Sequence, residues 1–451
     1  MADITLMRIL SAITSEPLVV LMKRALSRFN YEWEDVENGL DAFQRVMTRK
    51  FDLVILEFDL PRMSALEILR RFGSLEHFNA PPVMVLTLTE DQRLQIESGH
   101  FHRTEIVARP MAIRKFVGRV QQILHQSVRV ACLGGGTGLF TLLLGLKSLS
   151  GISLASIVSM SDDGGSTGKL RDMFGILPPG DIRRSLVALS AAPDLLNELM
   201  QYRFKRGEGL AGHTLGNLFL TALSEMRGSM PQAVKAISEI LNIQGEVIPV
   251  TDTVNTLKAR LENGSTLEGE RRIDLFEGHD PRVRISELWQ EPAAEANPEA
   301  LEALFNARFI ILGPGDLFTS VISNLIVGSI AEAICSSRAK KIYICNVMTK
   351  PGETTDFSVG DHVREILKYL KKDALDYVLC SSTAFSETSL EKYAEKSQIP
   401  VVENFPDQLR SLTKAEVLWA DMGSESELVR HDSVKLAAEL KKILEKENRH
   451  L

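Results

Sequence analysis

A chain of 451 residues is long enough for two or three domains, and 44% hydrophobic with 25% charged residues is the balance of a globular protein. Its net charge of −7 excludes a broad nucleic-acid-binding face. The N-terminus has no secretory leader, the longest apolar run (between Asp316 and Glu332) is too short and too rich in Ser and Asn to span a bilayer, and Cys132, Cys335, Cys345 and Cys380 show no CxxC or Cys/His spacing, so a cytoplasmic protein with buried thiols is expected.

Residues 1–126 alternate strands and helices. Strands are expected at Arg8–Ile13, Phe51–Leu56, Pro82–Leu86 and Glu105–Ala108, and helices at Pro17–Phe29, Asp41–Thr48 and Ile113–His125. This five-fold alternation predicts a parallel sheet with helices on both faces, a flavodoxin-like arrangement. FDLVILEFDLP, Thr87 after a strand, and a basic residue before Pro110 resemble a response-regulator receiver domain. The resemblance puts Glu57 at the phospho-acceptor position, Thr14 and Ser15 at the metal-binding acidic pair, and Arg109 at the lysine. Magnesium has few ligands without acids at 14 and 15, and glutamate misplaces the acceptor oxygen, so the domain is expected to be a degenerate receiver that is not phosphorylated. A Glu57–Arg109 contact would either hold an active-like conformation or be an ordinary salt bridge in a dimerisation module. His125-Gln126-Ser127 is the expected junction, with a second domain over 128–451.

The stretch Val128–Lys169 carries the strongest signal. A strand (Val128–Leu133) enters the cluster Gly134-Gly135-Gly136-Thr137-Gly138, and leucines at helical spacing follow. A second strand, Ser153–Met160, delivers Asp162 and Asp163 into another glycine-rich turn. Strand, glycine turn, helix, strand and acid is the layout of a mononucleotide-binding unit, in which glycines admit a phosphate to the helix N-terminus. The cluster matches neither the dinucleotide fingerprint nor a Walker A loop, so a tight turn without a ligand is the alternative. Asp162 and Asp163 fit a magnesium site, a ribose contact or simply a turn.

Farther on, Pro-Pro-Gly precedes Asp181, which would cap a helix over Ile182–Ser190 or meet a ligand. Arg183 and Arg184 in the first helical turn oppose the helix dipole, which an anionic ligand or a carboxylate facing them would explain. His213 and Asn217 lie in another small, polar turn, with His213 a ligand contact or a loop hydrogen-bonder. Ser229–Leu241 reads as a helix, Val247–Pro249 and Thr256–Arg260 as strands, and Asn263-Gly264 as a hairpin turn. Phe309–Leu312 is a buried strand running into Gly313-Pro314-Gly315-Asp316 and Thr319 and then a long apolar helix. Lys341–Asn346 and Tyr377–Cys380 are further strands, Val401-Val402 begins an edge element, and Val434–Leu444 is a helix. The expectation is a Rossmann-like, doubly wound parallel sheet whose polar turns converge at the carboxyl ends of the strands.

GGGTGL, SDDGGSTGKLR, LPPGDIRRSLVAL, GHTLGN, GPGDLFTS, NVMTKPGET and DHV, in that order over 128–451, resemble the YvcK-like gluconeogenesis factor family, sister to the CofD-type 2-phospho-L-lactate transferases. That resemblance implies a UDP-sugar ligand, notably UDP-N-acetylglucosamine, and a role in cell shape and cell-wall precursor allocation on gluconeogenic carbon. It adds Tyr393 and Arg430 as nucleotide-sugar contacts to the glycine turns, Asn217, Thr319 and Asn346. A magnesium-dependent transferase of a phosphate-linked group is the competing expectation. An unidentified protein partner and a homo-oligomer are further expectations.

Overall fold

In the computed structural model the chain divides into two compact units, residues 1–127 and 128–451. The structure describes residues 7–27, 29, 31–49, 51–74, 80–99, 101, 104–124, 128–149, 152–192, 194–275, 280–403, 406–425 and 429–448. The expected junction at 125–127 lies outside the described residues.

The first unit runs β1 (Met7–Ala12), α1 (Glu16–Leu26), β2 (Tyr31–Val36), α2 (Gly39–Thr48), β3 (Leu53–Glu57), α3 (Ala65–Ser74), β4 (Val83–Thr87), α4 (Glu90–Ser98), β5 (Thr104–Ala108) and α5 (Ile113–Leu124). Its parallel sheet has the order β2-β1-β3-β4-β5, the flavodoxin-like winding. β3 and β4 are buried at every residue, which is why they read as continuous apolar runs. β2 is a polar edge strand (YEWEDV), and its pattern gave no sequence signal. Glu57 ends β3, is ion-paired with Arg109, and accepts from the Thr14 N–H at 2.8 Å and the Thr14 hydroxyl at 2.5 Å. Partial burial opposes its charge, but the Thr14 bonds and the Arg109 guanidinium outweigh that and hold its pKa below the ordinary value.

The second unit runs β6 (Val128–Gly134), α6 (Gly136–Leu146), β7 (Ile152–Val158), α7 (Gly165–Phe174), α8 (Pro179–Leu189), α9 (Asp194–Gln201), α10 (Leu215–Arg227), α11 (Met230–Leu241) and β8 (Glu246–Pro249). A small antiparallel sheet follows, β9 (Thr256–Leu261), β10 (Thr266–Glu268) and β11 (Ile285–Glu291), with α12 (Glu270–Asp274) inserted before β11. The chain then gives α13 (Pro298–Asn306), β12 (Phe309–Leu312), a π-helical segment (Leu317–Ile322), α14 (Ser323–Leu325), α15 (Ile330–Ser336), β13 (Lys340–Ile344), α16 (Val359–Tyr369) and β14 (Tyr377–Ser381). It closes with α17 (Glu387–Ala394), α18 (Pro406–Leu412), β15 (Glu416–Ala420), the short pair β16 (Gly423–Ser424) and β17 (Arg430–His431), and α19 (Ser433–Asn448).

The main sheet is parallel throughout, in the order β15-β14-β13-β12-β6-β7-β8. From β6 the chain winds one way through β7 to β8, and from β12 it winds the other way to β15. The switch point lies between β6 and β12, where a doubly wound sheet opens a crevice outside its strand ends. Leu139, Leu142, Leu143 and Leu146 bury one face of α6 against this sheet, each contributing about 1.5–3 kcal/mol.

Three local expectations differ from the structure. Asp181 does not cap α8: Pro179 occupies the first helical position and starts the helix three residues earlier than expected, so Asp181 falls in its first turn. The apolar run after Asp316 is not one long helix, because it winds as a π segment and then breaks at Ser329, whose φ is +67°. Val401-Val402 forms no strand; the edge is β15, which pairs with β14.

Candidate functional site

A cavity of about 800 Å³ opens at the carboxyl ends of the main strands of the second unit. The β6–α6 turn, the loop before α7 and the start of that helix, the first turns of α8, α12, the loop after β12, the loop after β13, Tyr393 and β17 form its wall.

The glycine turn is shaped by protein groups. Gly136 has φ +60°, and its N–H donates to Asp181 Oδ2 at 2.7 Å. A Cβ at Gly135 would stand 2.7 Å from that same oxygen, and one at Gly138 would stand 2.3 Å from the Pro314 carbonyl oxygen. Glycine is thus needed at both positions to let α8 and the loop after β12 close on α6. Thr137 and Gly138 remain on the cavity wall, and first-turn N–H groups have no intrahelical acceptor. They supply the positive end of the α6 dipole.

Beside this turn lies a cationic wall. Arg183 is buried, and its Nε donates to Asn217 Oδ1 at 3.0 Å. Asn217 Nδ2 donates to Ser166 Oγ at 3.1 Å, and Ser166 lies 3.0 Å from His213 Nδ1. This chain of neutral partners holds the guanidinium in place without neutralising it. Among the described residues no carboxylate lies within ion-pair distance of Arg183. Burial, then the charges of Arg184 and Arg203, bring its pKa down to about 10. Arg184 and Arg203 also line the cavity, and Arg184 reaches Asp181 Oδ1 at 3.3 Å. Burial, then Lys169 and Arg203, lower the pKa of His213.

Another part of the wall is acidic. Asp162 Oδ1 accepts from the Gly164 N–H at 2.9 Å, and burial together with the charge of Asp181 raises its pKa to about 6. Glu270 is pushed to about 10, by burial first and then by Asp274, Asp162, Asp163 and Glu353. Asp274, Asp316 and Glu353 bring carboxylate oxygens within 4.8 Å of one another, as metal ligands would. The Lys350 ammonium stands among them, paired with Asp274 and at 2.8 Å from Asp316 and 3.3 Å from Glu353. Burial disfavours that ammonium, but the three carboxylates prevail and raise its pKa. Glu353 also accepts from the Phe318 N–H at 3.0 Å and the Thr319 N–H at 3.3 Å, closing the start of the π segment.

At the far end Tyr393 packs with Val347, Met348, Phe385 and Val429, and its hydroxyl accepts from the Val429 N–H at 2.8 Å. Arg430 is exposed beside it, on the cavity wall.

Residues 130–421 match the family model described as 2-phospho-L-lactate transferase CofD, and residues 14–121 match the response regulator receiver domain. A putative gluconeogenesis factor of Thermotoga maritima is 41% identical over 319 residues, which are 70% of this chain and 99% of that one. The chain belongs to the CofD family and to the gluconeogenesis factors within it. The gluconeogenesis factor of Bacillus subtilis is 36% identical over 321 residues, 71% of this chain and 99% of that one. A crystal structure of a Bacillus halodurans protein superposes with a TM-score of 0.66 at 36% identity, covering 70% of this chain and 99% of that one. Among the described residues no helix is long and apolar enough to cross a membrane.

In this CofD-family unit, Gly135, Gly136, Thr137, Gly138, Asp162, Asp181, Arg183, Asn217, Gly315, Asp316, Asn346, Tyr393 and Arg430 line one cavity. Gly134, Asp163, His213, Gly313 and Thr319 do not. The Gly134 carbonyl accepts from the Ser159 N–H at 2.9 Å inside the sheet, and the Gly313 N–H donates to the Leu133 carbonyl at 2.9 Å. His213 stands behind Ser166, and the Thr319 hydroxyl donates to Glu353 at 3.2 Å. Asp163 accepts from the Glu270 N–H at 3.0 Å and the Arg271 N–H at 2.8 Å, so it fixes α12. Asp163 is thereby committed to α12, whereas Asp162 lines the cavity. Glu270, Arg271, Asp274, Lys350 and His431 were not singled out from the sequence. Only Lys350 lay in one of the family-like motifs; α12 is five residues long, too short to show a period.

Proposed function

We propose that the unit over 128–451 binds a nucleotide sugar of the UDP class, UDP-N-acetylglucosamine foremost, and acts as a regulatory factor in gluconeogenic growth, with consequences for cell shape and cell-wall precursor allocation. The observation that carries this reading is Arg183: a buried cation with neutral partners, flanked by Arg184 and Arg203 and facing the α6 turn. Asp181 and Asp162 act on that charge only from a distance, so the site favours an anion, and a diphosphate supplies one that first-turn N–H groups and arginines bind together. The cavity volume lies within the range of small-molecule sites. Tyr393 offers a face for a base or a sugar, and Arg430 a cation at the rim. The relatives' name, gluconeogenesis factor, supports the physiological part.

A magnesium-dependent transferase is the second reading, favoured by the name of the family model. The donor set fits magnesium poorly. Asp163 is engaged by α12, and the carboxylate trio with metal-ligand spacing already holds the Lys350 ammonium.

Calorimetry and thermal melting with UDP-N-acetylglucosamine, UDP-glucose, GDP, GTP and NAD, each with and without magnesium, test the proposal. A UDP-sugar shift independent of magnesium is expected, with stabilisation of about 2.7 kcal/mol at a hundredfold excess over Kd. Arg430→Ala should weaken binding roughly tenfold. No response to any UDP-sugar refutes the reading, and a response confined to guanine nucleotides with magnesium moves it to the transferase.

A further inference from the structure

We propose that Asn346 and His431 form an acceptor pair that selects the ligand by two hydroxyl groups of one sugar ring. This rests on the nucleotide-sugar reading and deepens it.

Both residues stand on the cavity wall, and Asn346 Oδ1 and His431 Nε2 are buried without a hydrogen-bond partner among the described residues. Buried polar atoms in native proteins are almost always satisfied, so two orphans on one cavity wall point to a ligand that satisfies them. The His431 ring is hydrogen-bonded to the backbone of Cys345, the residue before Asn346. Since Nε2 has no partner, that bond runs from Nδ1, which carries the proton and leaves Nε2 with a free lone pair. Burial lowers the pKa of this histidine to about 4, so the ring stays neutral at physiological pH. The Cys345 carbonyl thus ties His431 to the strand end that carries Asn346.

Two acceptors demand two donors from the ligand. Ionised phosphate oxygens and base carbonyls accept and cannot serve, and uracil offers a single N–H donor where two are needed; sugar hydroxyls donate in pairs. The position agrees. β13 lies two strands from β6 in the sheet, about 10 Å across its edge from the glycine turn. A sugar ring attached to a diphosphate seated on α6 extends over that interval, onto the apolar floor of Val347, Met348 and Tyr393. The hydroxyls come either from the hexose or from the ribose of the nucleotide.

Calorimetry on the full chain with UDP-glucose, UDP and 2′-deoxy-UDP separates these. If the hexose is read, His431→Ala and Asn346→Ala weaken UDP-glucose roughly tenfold each and leave UDP unchanged. If the ribose is read, both variants weaken UDP-glucose and UDP alike, whereas 2′-deoxy-UDP, which lacks one of the two donors, binds the wild type more weakly and loses little more in the variant that removes the acceptor of the 2′-hydroxyl. His431→Gln, which restores a carbonyl acceptor, should recover part of the loss. The unliganded Asn346→Ala variant should melt no lower than the wild type, because the orphan acceptor serves the ligand and not the fold. Losses under twofold for UDP-glucose in both variants overturn the inference, as do equal losses for all three ligands. Failure of the wild type to bind any of the three overturns the nucleotide-sugar reading itself, and the inference with it.

Discussion

Replacing Glu270 by Gln should stabilise the protein at neutral pH, and by an amount that grows with pH. In the folded chain burial and neighbouring carboxylates push this group to about 10, against an ordinary value of 4.5. The folded state therefore keeps a proton that the unfolded state releases. Its contribution is fully present below 4.5 and is lost progressively as pH rises toward 10. At pH 7 refolding must take up that proton, at about 1.4 kcal/mol for each pH unit above 4.5, or about 3.5 kcal/mol in all. Glutamine keeps the shape of the neutral acid and removes the requirement. Denaturant unfolding of wild type and variant at pH 5.5 and pH 7.5 gives the comparison: the advantage of Glu270→Gln should widen by about 3 kcal/mol over that interval. An advantage that stays constant between the two pH values would show that Glu270 is ionised in the folded state, and the description of the acidic wall would fall with it.

Gly138→Ala should cost about 1–3 kcal/mol in denaturant unfolding, because its Cβ would stand 2.3 Å from the Pro314 carbonyl oxygen. Gly73→Ala, in a helix with nothing within 4 Å of the new atom, should be neutral or stabilise by up to about 1 kcal/mol. Asp163→Ala leaves the first N–H groups of α12 without their acceptors and should lower stability by about 0.5–2 kcal/mol, while its direct effect on ligand affinity should be small. Arg109→Ala strands the partly buried Glu57 carboxylate and should destabilise the first unit by about 1–3 kcal/mol at pH 7. Because the pKa of Glu57 is lowered, that difference is present above its ordinary value and should shrink as the pH falls through the folded value, which unfolding at acidic pH would show. Acetyl phosphate with magnesium should leave Glu57 unlabelled, read by mass spectrometry.

Most of the architecture was legible because buried parallel strands are written as apolar runs. FDLVIL, VRVACL and FIIL announced β3, β6 and β12, and the glycine turns behind the last two placed the cavity. Polar edges carry no such mark, so β2 and β15 were missed. The sequence also could not say what each glycine accommodates. Gly135 and Gly138 were read as room for phosphate, whereas the atoms nearest to them belong to Asp181 and Pro314. The misplacement of Asp181 followed from counting the helix from Ile182, when Pro179 had already begun it. The acidic wall was visible only in part. Asp162 and Asp316 stood out in glycine-rich turns, but Glu270 and Asp274 reach the cavity on a one-turn helix docked through Asp163, a contact 107 residues apart in sequence.

The carboxylate of Asp181, fixed on the Gly136 N–H, behaves as a tethered competitor for the end of α6. Because it is attached to the chain, its effective concentration there is far higher than that of any free ion. A solitary phosphate gains one attachment and must contend with it at that point. On the proposed nucleotide-sugar reading, a longer ligand would meet Thr137 and Gly138, the arginine wall and the sugar subsite at once, and so would outweigh it. The tethered carboxylate would then set a threshold against partial ligands: inorganic phosphate and small phosphate esters would be screened out, and molecules long enough to span the cavity retained.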